Sequence, residues 1–391
     1  MSTTFDRIRR FLTEHAPSSP CLVIDLDAVA DRYREVAAAF ENARVCYAVK
    51  ANPAPPVIST LVSAGASFDV ASPAEIKLCL AAGADPESLS YGNPIKKPSA
   101  IEFAHNVGVR EFTCDAEGDL DNIARFAPGA QVQVRLLVEA PDSVTPFGRK
   151  FGCVPRRATE LLLRAVELGL EPTGVSFHVG SQQLDPAAWE LAAAAAATVF
   201  TACAEQGTTL RRLNIGGGFG VSYDREAPSL AEYAGTVDAS LRAHFGQPLP
   251  ELVLEPGRAM VAEAGLIRAE VVLVARKSAT DPARWVYLDI GRYNGLAETE
   301  NEAIAYRFEP VDDTGTAEEE GPVIIAGPTC DGDDVLYQHT PYRLPLALRA
   351  GDQLDILATG AYTASYSSVA FNGIEPLPTY CITGGRLISA H

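Results

Sequence analysis

Residues 43–53 read ARVCYAVKANP, and the organisation of the chain can be worked out from this segment. The run VCYAV at 45–49 is apolar and shows little alternation, which is typical of a strand buried on both faces. Lys50 follows this strand, and Asn52 and Pro53 stop it. Parallel α/β folds keep their chemistry at the carboxyl ends of such strands. Lys50 is therefore either a nucleophilic amine with a lowered pKa or a solvated charge at a strand end.

Strand-like and helix-like segments alternate after this point. Residues 72–75, SPAE, show the Ser-x-x-Glu pattern of a helix start with Pro at the first helical position, and the alanine-rich residues 186–203 predict another helix. Counting from the Lys50 strand gives about eight βα units before residue 258, which predicts a (β/α)8 TIM-type barrel. A doubly wound open sheet is the alternative. The barrel is favoured because polar groups follow many strands, not only one switch point.

The pattern changes after Arg258. Short strand-like runs alternate with Gly, Pro and Asp turns and leave little room for helix, which predicts an all-β sandwich or barrel domain. The early strand at 21–24 could pair with it. We therefore expect a barrel domain at 25–260 and a β domain built from 1–24 and 261–391. The acidic residues 311–321, VDDTGTAEEEG, predict an exposed loop.

Composition narrows the class of protein. The 391 residues carry a formal charge of −18, which argues against nucleic acid or an anionic membrane as a partner. The first residues lack the features of a signal peptide, and no segment is apolar over the length of a membrane span. The eight cysteines show no spacing typical of a zinc site or a disulfide framework. These features predict a reduced, cytoplasmic protein without a metal.

Three motifs in the predicted barrel could carry chemistry. Residues 216–220, GGGFG, can present backbone N–H groups to an anion or form an ordinary turn, and their spacing disfavours NAD and ATP. In residues 255–258, EPGR, Glu255 could hold a proton on a heteroaromatic nitrogen while Arg258 binds phosphate, or the two could form a structural ion pair. His178 could stack on a flat cofactor or be a buried core histidine.

Two motifs in the predicted β domain add to these. Cys330 lies among turn formers beside an acid in GPTCDG, which suits an exposed, functional thiol better than a core cysteine. Tyr362 follows a flexible glycine and either reaches a phosphate through its hydroxyl or packs at a domain edge. A strand-end lysine, a glycine cradle, an acid for a ring nitrogen and a stacking histidine are together what pyridoxal phosphate needs.

The ordered motifs YAVKANP, FHVGSQ, NIGGGFG, EPGR, GPTCDGDD and GAYT span nearly the whole chain. They resemble those of the barrel-type (fold type III) pyridoxal-phosphate decarboxylases of basic amino acids, with ornithine decarboxylase as the nearest likeness. The resemblance implies that Lys50 attaches the cofactor covalently and that His178 stacks on its ring. The other cofactor contacts implied by it are Asp69, Arg135, Ser181, Gly217, Gly218, Glu255, Gly257, Arg258 and Tyr362.

The resemblance also implies roles for the β domain. Cys330 would return a proton to the substrate after CO2 leaves, and Asp331 would bind the distal ammonium. In this family both residues come from the partner subunit, so a head-to-tail homodimer with shared sites is expected. Glu302 falls near the position of a second substrate-binding acid, with Glu298 close by.

The reaction we expect is decarboxylation of L-ornithine to putrescine and CO2, with L-lysine or another basic or modified amino acid as the alternative. Diaminopimelate decarboxylases are also similar, but they carry a Cys-Glu-Ser type motif where this chain has Cys330-Asp331-Gly332. Alanine racemases share the barrel but use a tyrosine base. A catalytically silent regulatory homologue is the hypothesis from a different class, and the intact lysine, glycine and cysteine motifs argue against it.

Overall fold

The computed structural model describes residues 3–139, 143–144, 149–311 and 319–390. The chain divides into two compact units. One consists of Ala30–Val221 and Ala227–Met260 and is called the barrel unit here. The other consists of Met1–Val29, Ser222–Glu226 and Val261–His391 and is called the β unit.

The chain begins with helix α1 (Thr4–His15), strand β1 (Cys21–Asp25) and helix α2 (Leu26–Ala39). A closed barrel of parallel strands follows, which confirms the predicted TIM-type fold and excludes the open sheet. Its strands are β2 (Arg44–Ala48), β3 (Ser67–Val70), β4 (Leu89–Tyr91), β5 (Glu111–Cys114), β6 (Gln131–Arg135), β7 (Glu171–Ser176), β8 (Arg212–Asn214) and β9 (Glu251–Leu254). Strand β9 closes the barrel by pairing with β2, with Arg44 opposite Val253.

Helices alternate with the barrel strands. They are α3 (Pro55–Ser63), α4 (Pro73–Ala81), α5 (Pro98–Asn106), α6 (Glu117–Phe126), α7 (Pro155–Glu167), α8 (Ala188–Glu205), α9 (Leu230–Phe245) and the short α10 (Arg258–Val261). The predicted start of α4 is present, since the Ser72 side chain accepts from the backbone N–H of Glu75. The Glu75 carboxylate accepts from Ala71 N at 2.6 Å instead of completing a reciprocal capping box.

An ion-pair cluster closes the amino-terminal end of the barrel. Glu111, the first residue of β5, accepts from Arg44 Nη1 and from Arg212 Nη1, each at 2.7 Å. These arginines begin β2 and β8. Charged side chains that bond to one another occupy this end of the barrel, and active sites of this fold lie at the other end, at the carboxyl ends of the strands.

The β unit contains one mixed, nine-stranded sheet. Its strands after β1 are β10 (Gly265–Ala275), β11 (Arg284–Leu288), β12 (Phe308–Pro310), β13 (Glu320–Ala326), β14 (Val335–Pro345), β15 (Gln353–Leu357), β16 (Thr379–Thr383) and β17 (Arg386–Ala390). The predicted pairing of the early strand is confirmed, because β1 lies antiparallel to β10 and parallel to β16. Helix α1 packs Ile8, Phe11 and Leu12 into the core beside this pairing.

Two further predictions concerned an acidic loop and the absence of a membrane span. Residues 312–318 of the predicted acidic loop lie outside the described residues. Among the residues that the structure describes, no helix is both long enough and apolar enough to cross a membrane.

Candidate active site

Lys50 lies in a 3-10 turn, Val49–Ala51, directly after β2. Its Nζ lies 2.7 Å from Oδ2 of Asp69, which is on the neighbouring strand β3 opposite Ala48. The Lys50 side chain is 48% exposed, whereas that of Asp69 is 5% exposed. An ion pair that is half open to water contributes little to stability, and this one fixes the Lys50 amine beside Asp69.

Glu255 follows β9 and lies close to this pair. Burial, and then the negative charge of Asp69, raise the pKa of Glu255 to about 7, although Lys50 and Arg135 oppose the shift. Gly92, after β4, leaves room for the two acids, because a Cβ there would lie 2.1 Å from Asp69 Oδ1 and 3.6 Å from Glu255 Oε1. A carboxyl that titrates near neutral pH can share a proton with a ring nitrogen.

Asn214, the last residue of β8, connects Glu255 to the glycine motif. Its Nδ2 donates to Glu255 Oε1 at 2.6 Å, and its Oδ1 accepts from Gly216 N at 2.9 Å. The residue is fully buried. Its hydrogen bond lowers the pKa of Glu255 and so counteracts part of the effect of burial.

His178 follows β7 and lies against the glycines. A Cβ on Gly217 would lie 3.5 Å from His178 Nε2. Burial, followed by the charges of Arg135 and Lys50, holds the pKa of His178 well below its usual value. Its Nδ1 accepts from Gly180 N at 3.0 Å, so the ring is neutral and carries its proton on Nε2. A neutral ring in this place can stack on a flat aromatic group.

The glycine motif forms a tight backbone turn. Gly216 and Gly218 have φ values of +68° and +101°, which glycine adopts readily, and a Cβ on Gly218 would lie 2.4 Å from Gly180 O. Among the described residues, the backbone N–H groups of Gly217, Gly218 and Gly257 donate to no protein acceptor. Arg258 Nη2 donates to Ser181 Oγ at 3.2 Å. Unpaired amides, a hydroxyl and a guanidinium are the donors that a phosphate requires.

Arg135 ends β6, and its guanidinium lies 4.9 Å from the centre of the Phe151 ring. Burial lowers the pKa of Arg135, and the negative charges of Glu255 and Asp69 oppose this shift. The titratable residues Lys50, Asp69, Arg135, His178 and Glu255 therefore interact electrostatically at the carboxyl ends of the strands.

The remaining predicted residues belong to the β unit. Cys330 is exposed, as its turn-forming neighbours predict, and its Sγ lies 3.4 Å from Nδ2 of Asn372. Asp331 is also exposed and accepts from Asp333 N at 2.8 Å. The Tyr293 hydroxyl donates to the Asp331 carboxylate. The pKa of this hydroxyl is raised first by burial, then by the charge of Asp331 and by the hydrogen bond.

A buried acid holds the turn that carries Cys330. Asp334 is 2% exposed. It accepts from Arg292 N at 2.8 Å and from both N and Oγ1 of Thr329, at 3.0 and 2.7 Å. A Cβ on Gly327 would lie 2.3 Å from Asp334 Oδ1, so this position needs glycine.

Glu302 has a different environment from the one we expected of a substrate-binding acid. Its carboxylate accepts from the backbone N–H groups of residues 338–340, at 2.6 to 2.7 Å. These bonds hold its pKa at about 2, although burial acts in the opposite direction. The carboxylate thus attaches the turn Ala297–Glu302, which also contains Glu298, to β14.

Tyr362 follows β15 and is half-buried in the β unit, with a left-handed φ of 54°. Its buried neighbour Thr363 donates to Thr359 O at 2.7 Å. The glycine before Tyr362 has no room for a side chain, since a Cβ there would lie 1.9 Å from Val261 O. Gly360 is therefore required by close backbone packing, in addition to any flexibility it gives.

Sequence reasoning missed several of these residues. The residues that it did not single out are the polar residues Asn214, Asn372 and Asp334 and the glycine Gly92. Asn214 begins the NIGGGFG motif and Asp334 ends the GPTCDGDD motif, so their positions in these motifs were the available signals. Asn372 meets Cys330 across 42 residues of sequence, and nothing local indicates that contact.

The barrel unit has the groups that pyridoxal phosphate requires. It brings together an amine on Lys50, an acid on Glu255, a neutral ring on His178, and unpaired backbone amides beside Arg258. Each group matches one part of the cofactor: the aldehyde, the ring nitrogen, the ring face and the phosphate.

Comparisons with known proteins agree with this fit. Residues 26–262 match the family described as "Pyridoxal-dependent decarboxylase, pyridoxal binding domain". The chain is 33% identical over 363 residues to a lysine/ornithine decarboxylase of Selenomonas ruminantium, covering 92% of this chain and 89% of that protein.

Two solved structures are similar over nearly the whole chain. SrLDC in complex with PLP and cadaverine has a TM-score of 0.84 and 33% identity, covering 96% of this chain and 93% of the other. A lysine/ornithine decarboxylase from Vibrio vulnificus, complexed with putrescine, has a TM-score of 0.85 and 27% identity, covering 99% and 100% of the two chains.

Proposed function

Because the chain belongs to the fold type III pyridoxal-dependent decarboxylases of basic amino acids, we propose that its preferred substrate is L-ornithine, which it converts to putrescine and CO2. L-Lysine is the second substrate in this proposal. The names of the relatives support both, since one similar protein is a lysine/ornithine decarboxylase and related structures hold cadaverine or putrescine.

The observation that carries the choice of substrate is the charge of Asp331. Its carboxylate is exposed beside Cys330, and among the described residues no lysine or arginine forms an ion pair with it. A carboxylate without a cationic partner favours a substrate with a distal ammonium, whereas the second carboxylate of diaminopimelate would be repelled. The side chains of ornithine and lysine differ by one methylene, which is worth about 1–3 kcal/mol in a pocket, so activity on both is expected.

Bound pyridoxal phosphate supplies a protonated pyridine ring that withdraws electrons from the substrate Cα as the carboxylate leaves. Lys50 Nζ attaches the cofactor in this proposal, and Asp69 orients that amine. Glu255 keeps the proton on the pyridine nitrogen, and neutral His178 covers the ring face without adding charge. The backbone amides of Gly217, Gly218 and Gly257, with Ser181, Arg258 and Tyr362, bind the phosphate, while Arg135 balances the charge of the two acids.

Cys330 provides the proton that completes the reaction. The bond between Cα and the carboxylate breaks and CO2 leaves, the electron pair left at Cα takes the proton of Cys330 Sγ, and the thiolate regains a proton from water. The side chain of Asn372 orients that sulfur. Burial raises the pKa of the other cysteines. Cys330 differs from them because it is exposed and can contact a substrate.

We further propose a head-to-tail homodimer in which Cys330 and Asp331 complete the barrel site of the partner subunit. The exposed side chains near them in the sequence support this. Val369 is 88% exposed and Tyr366 is 56% exposed, a few residues before Asn372. Large apolar side chains exposed beside functional groups are typical of an interface.

In this proposal Glu302 and Glu298 contribute less to substrate binding than Asp331 does. The carboxylate of Glu302 already accepts from three backbone amides of β14, so in this proposal it holds its turn to that strand and does not meet the ammonium. Glu298 stays a candidate for that contact. The cytoplasmic location predicted from the cysteine pattern also stays a prediction.

The test measures CO2 release from ornithine, lysine, arginine and diaminopimelate by the purified protein, together with a visible absorbance that borohydride removes. We expect ornithine and lysine to be the best substrates. Asp331→Asn should raise KM for ornithine roughly 10- to 100-fold, because a charged hydrogen bond is lost. The neighbouring Asp333→Asn is the matched control and should leave KM unchanged. Fastest turnover of diaminopimelate would overturn the role of Asp331.

A further inference from the structure

The hydroxyl of Tyr233 connects two loops of the barrel unit. Tyr233 is on helix α9 and is fully buried. Its Oη donates to Gln183 O at 2.5 Å and accepts from Gly220 N at 3.2 Å. Gln183 ends residues 177–183, called the histidine loop here, and Gly220 is in residues 215–221, called the glycine loop. One side chain on an outer helix thus satisfies a backbone group in each loop.

Aromatic packing holds this hydroxyl in place. Phe219 of the glycine loop lies 5.2 Å from Trp189, stacked, and 5.4 Å from Tyr233, edge to face. Trp189 Nε1 also donates to Ile215 O at 3.2 Å. The glycine loop is therefore fixed at Ile215 by the indole and at Gly220 by the phenol, on either side of its three consecutive glycines.

The two loops are also joined directly. Gln183 N donates to Gly218 O at 2.8 Å. The Gln182 side chain accepts from Val221 N at 3.0 Å and donates to Val221 O at 2.5 Å. These bonds leave the backbone little freedom where the histidine loop carries Ser181 and the glycine loop carries Gly217 and Gly218.

We propose that Tyr233 is a positioning residue for the phosphate of pyridoxal phosphate, which it holds through the two loops without touching the cofactor. This inference rests on the proposed function, in which Ser181, Gly217 and Gly218 bind that phosphate. A phosphate needs several donors aimed at one point, so their relative placement sets the affinity. A Cβ on Gly220 would lie 2.6 Å from Leu184 Cδ2 and 3.1 Å from the Tyr233 hydroxyl, and this agrees with a close fit around the hydroxyl.

Tyr233→Phe removes only the hydroxyl and keeps the ring against Phe219. The dissociation constants of pyridoxal phosphate and of pyridoxal, which lacks the phosphate, are measured by titrating each apoenzyme and following absorbance. We expect the constant for pyridoxal phosphate to rise about tenfold, because two buried backbone groups lose their partner. The constant for pyridoxal should rise much less, since pyridoxal has no phosphate for the displaced donors to bind.

Tyr337→Phe is the matched control. Tyr337 is a buried tyrosine of the β unit whose hydroxyl also bonds two backbone groups, accepting from Tyr306 N at 2.8 Å and donating to Ile304 O at 2.6 Å. Its loss should lower thermal stability without weakening pyridoxal phosphate binding. If Tyr233→Phe does not fold, Gln182→Met, which removes the other side-chain link between the loops, takes its place with the same expected result.

Unchanged affinity of a folded Tyr233→Phe for pyridoxal phosphate would overturn the proposal, as would equal weakening for pyridoxal or the same weakening in Tyr337→Phe. Failure of the wild-type protein to bind pyridoxal phosphate would instead overturn the proposed function.

Discussion

The side-chain amide of Asn214 donates to Glu255 Oε1 over 2.6 Å, from the end of one barrel strand to the end of the next. The same side chain accepts from Gly216 N, so the acid proposed for the ring nitrogen and the loop proposed for the phosphate share one support. This arrangement lets one buried residue affect both ends of a bound cofactor.

Asn214→Ala should therefore weaken cofactor binding about tenfold or more, because a hydrogen bond to a charged group is lost and the glycine loop is loosened. The pKa of Glu255 should also rise further, since the bond from Asn214 lowers it. Titration of the apoenzyme with pyridoxal phosphate measures the first effect. The exposed Asn106→Ala is the control. Equal affinities of Asn214→Ala and wild type would contradict this support.

The stability of the apoenzyme should depend on pH because the carboxyl group of Glu255 titrates. Burial and the charge of Asp69 raise its pKa from 4.5 to about 7. Between these pH values the folded protein binds a proton that the unfolded chain has released, so this contribution to stability falls as pH rises through that window. The Tm of wild-type apoenzyme should thus decrease more between about pH 5 and 8 than that of Glu255→Gln.

Glu251→Gln, at the opposite end of the same strand, is the control for that comparison. It should keep the wild-type dependence of Tm on pH. Parallel curves for wild type and Glu255→Gln would show that the carboxyl does not titrate in this range.

Cys330→Ala should continue to release CO2 while the yield of diamine per CO2 falls. The electron withdrawal that breaks the carboxylate bond does not involve the thiol, whereas the final proton in the proposed mechanism does. Both products are measured from one reaction mixture. Cys153→Ala, which changes a partly buried cysteine of the barrel unit, is the control. A constant ratio of diamine to CO2 in Cys330→Ala would argue against the proton transfer.

Mixing two variants that are each impaired at an ornithine concentration below the wild-type KM should restore activity if subunits share their sites. Lys50→Ala disables the barrel site and Asp331→Ala disables the contributed loop. Random exchange of subunits between the two variants should give dimers with roughly a quarter as many intact sites as the wild-type protein has. Lys50→Ala mixed with Lys50→Arg should give none, because both changes disable the same part. Absence of recovery, once exchange of tagged subunits has been demonstrated, would exclude the shared arrangement.

Much of the fold and many of the candidate residues could be predicted because they depend on local patterns. The uninterrupted apolar run before Lys50 indicated a buried parallel strand, and β2 ends two residues before that lysine. The order of strand and helix signals predicted the barrel, since parallel neighbours need helical crossovers. The position of the early strand in the β unit was also predicted, but its parallel neighbour β16 was not, because no local pattern encodes a partner so distant in sequence.

For the candidate site too, some features could be predicted from the sequence and others depended on the tertiary structure. Residue order alone identified the lysine, the glycine motif, the EPGR acid and the exposed cysteine, since each has distinctive neighbours in the chain. Tertiary structure decided which atoms meet: Asn214 with Glu255, Asn372 with Cys330, and Glu302 with the backbone amides of β14. These contacts depend on strand register and on turns that bring distant segments together, and burial, which shifts the pKa of Glu255, exists only in the folded chain.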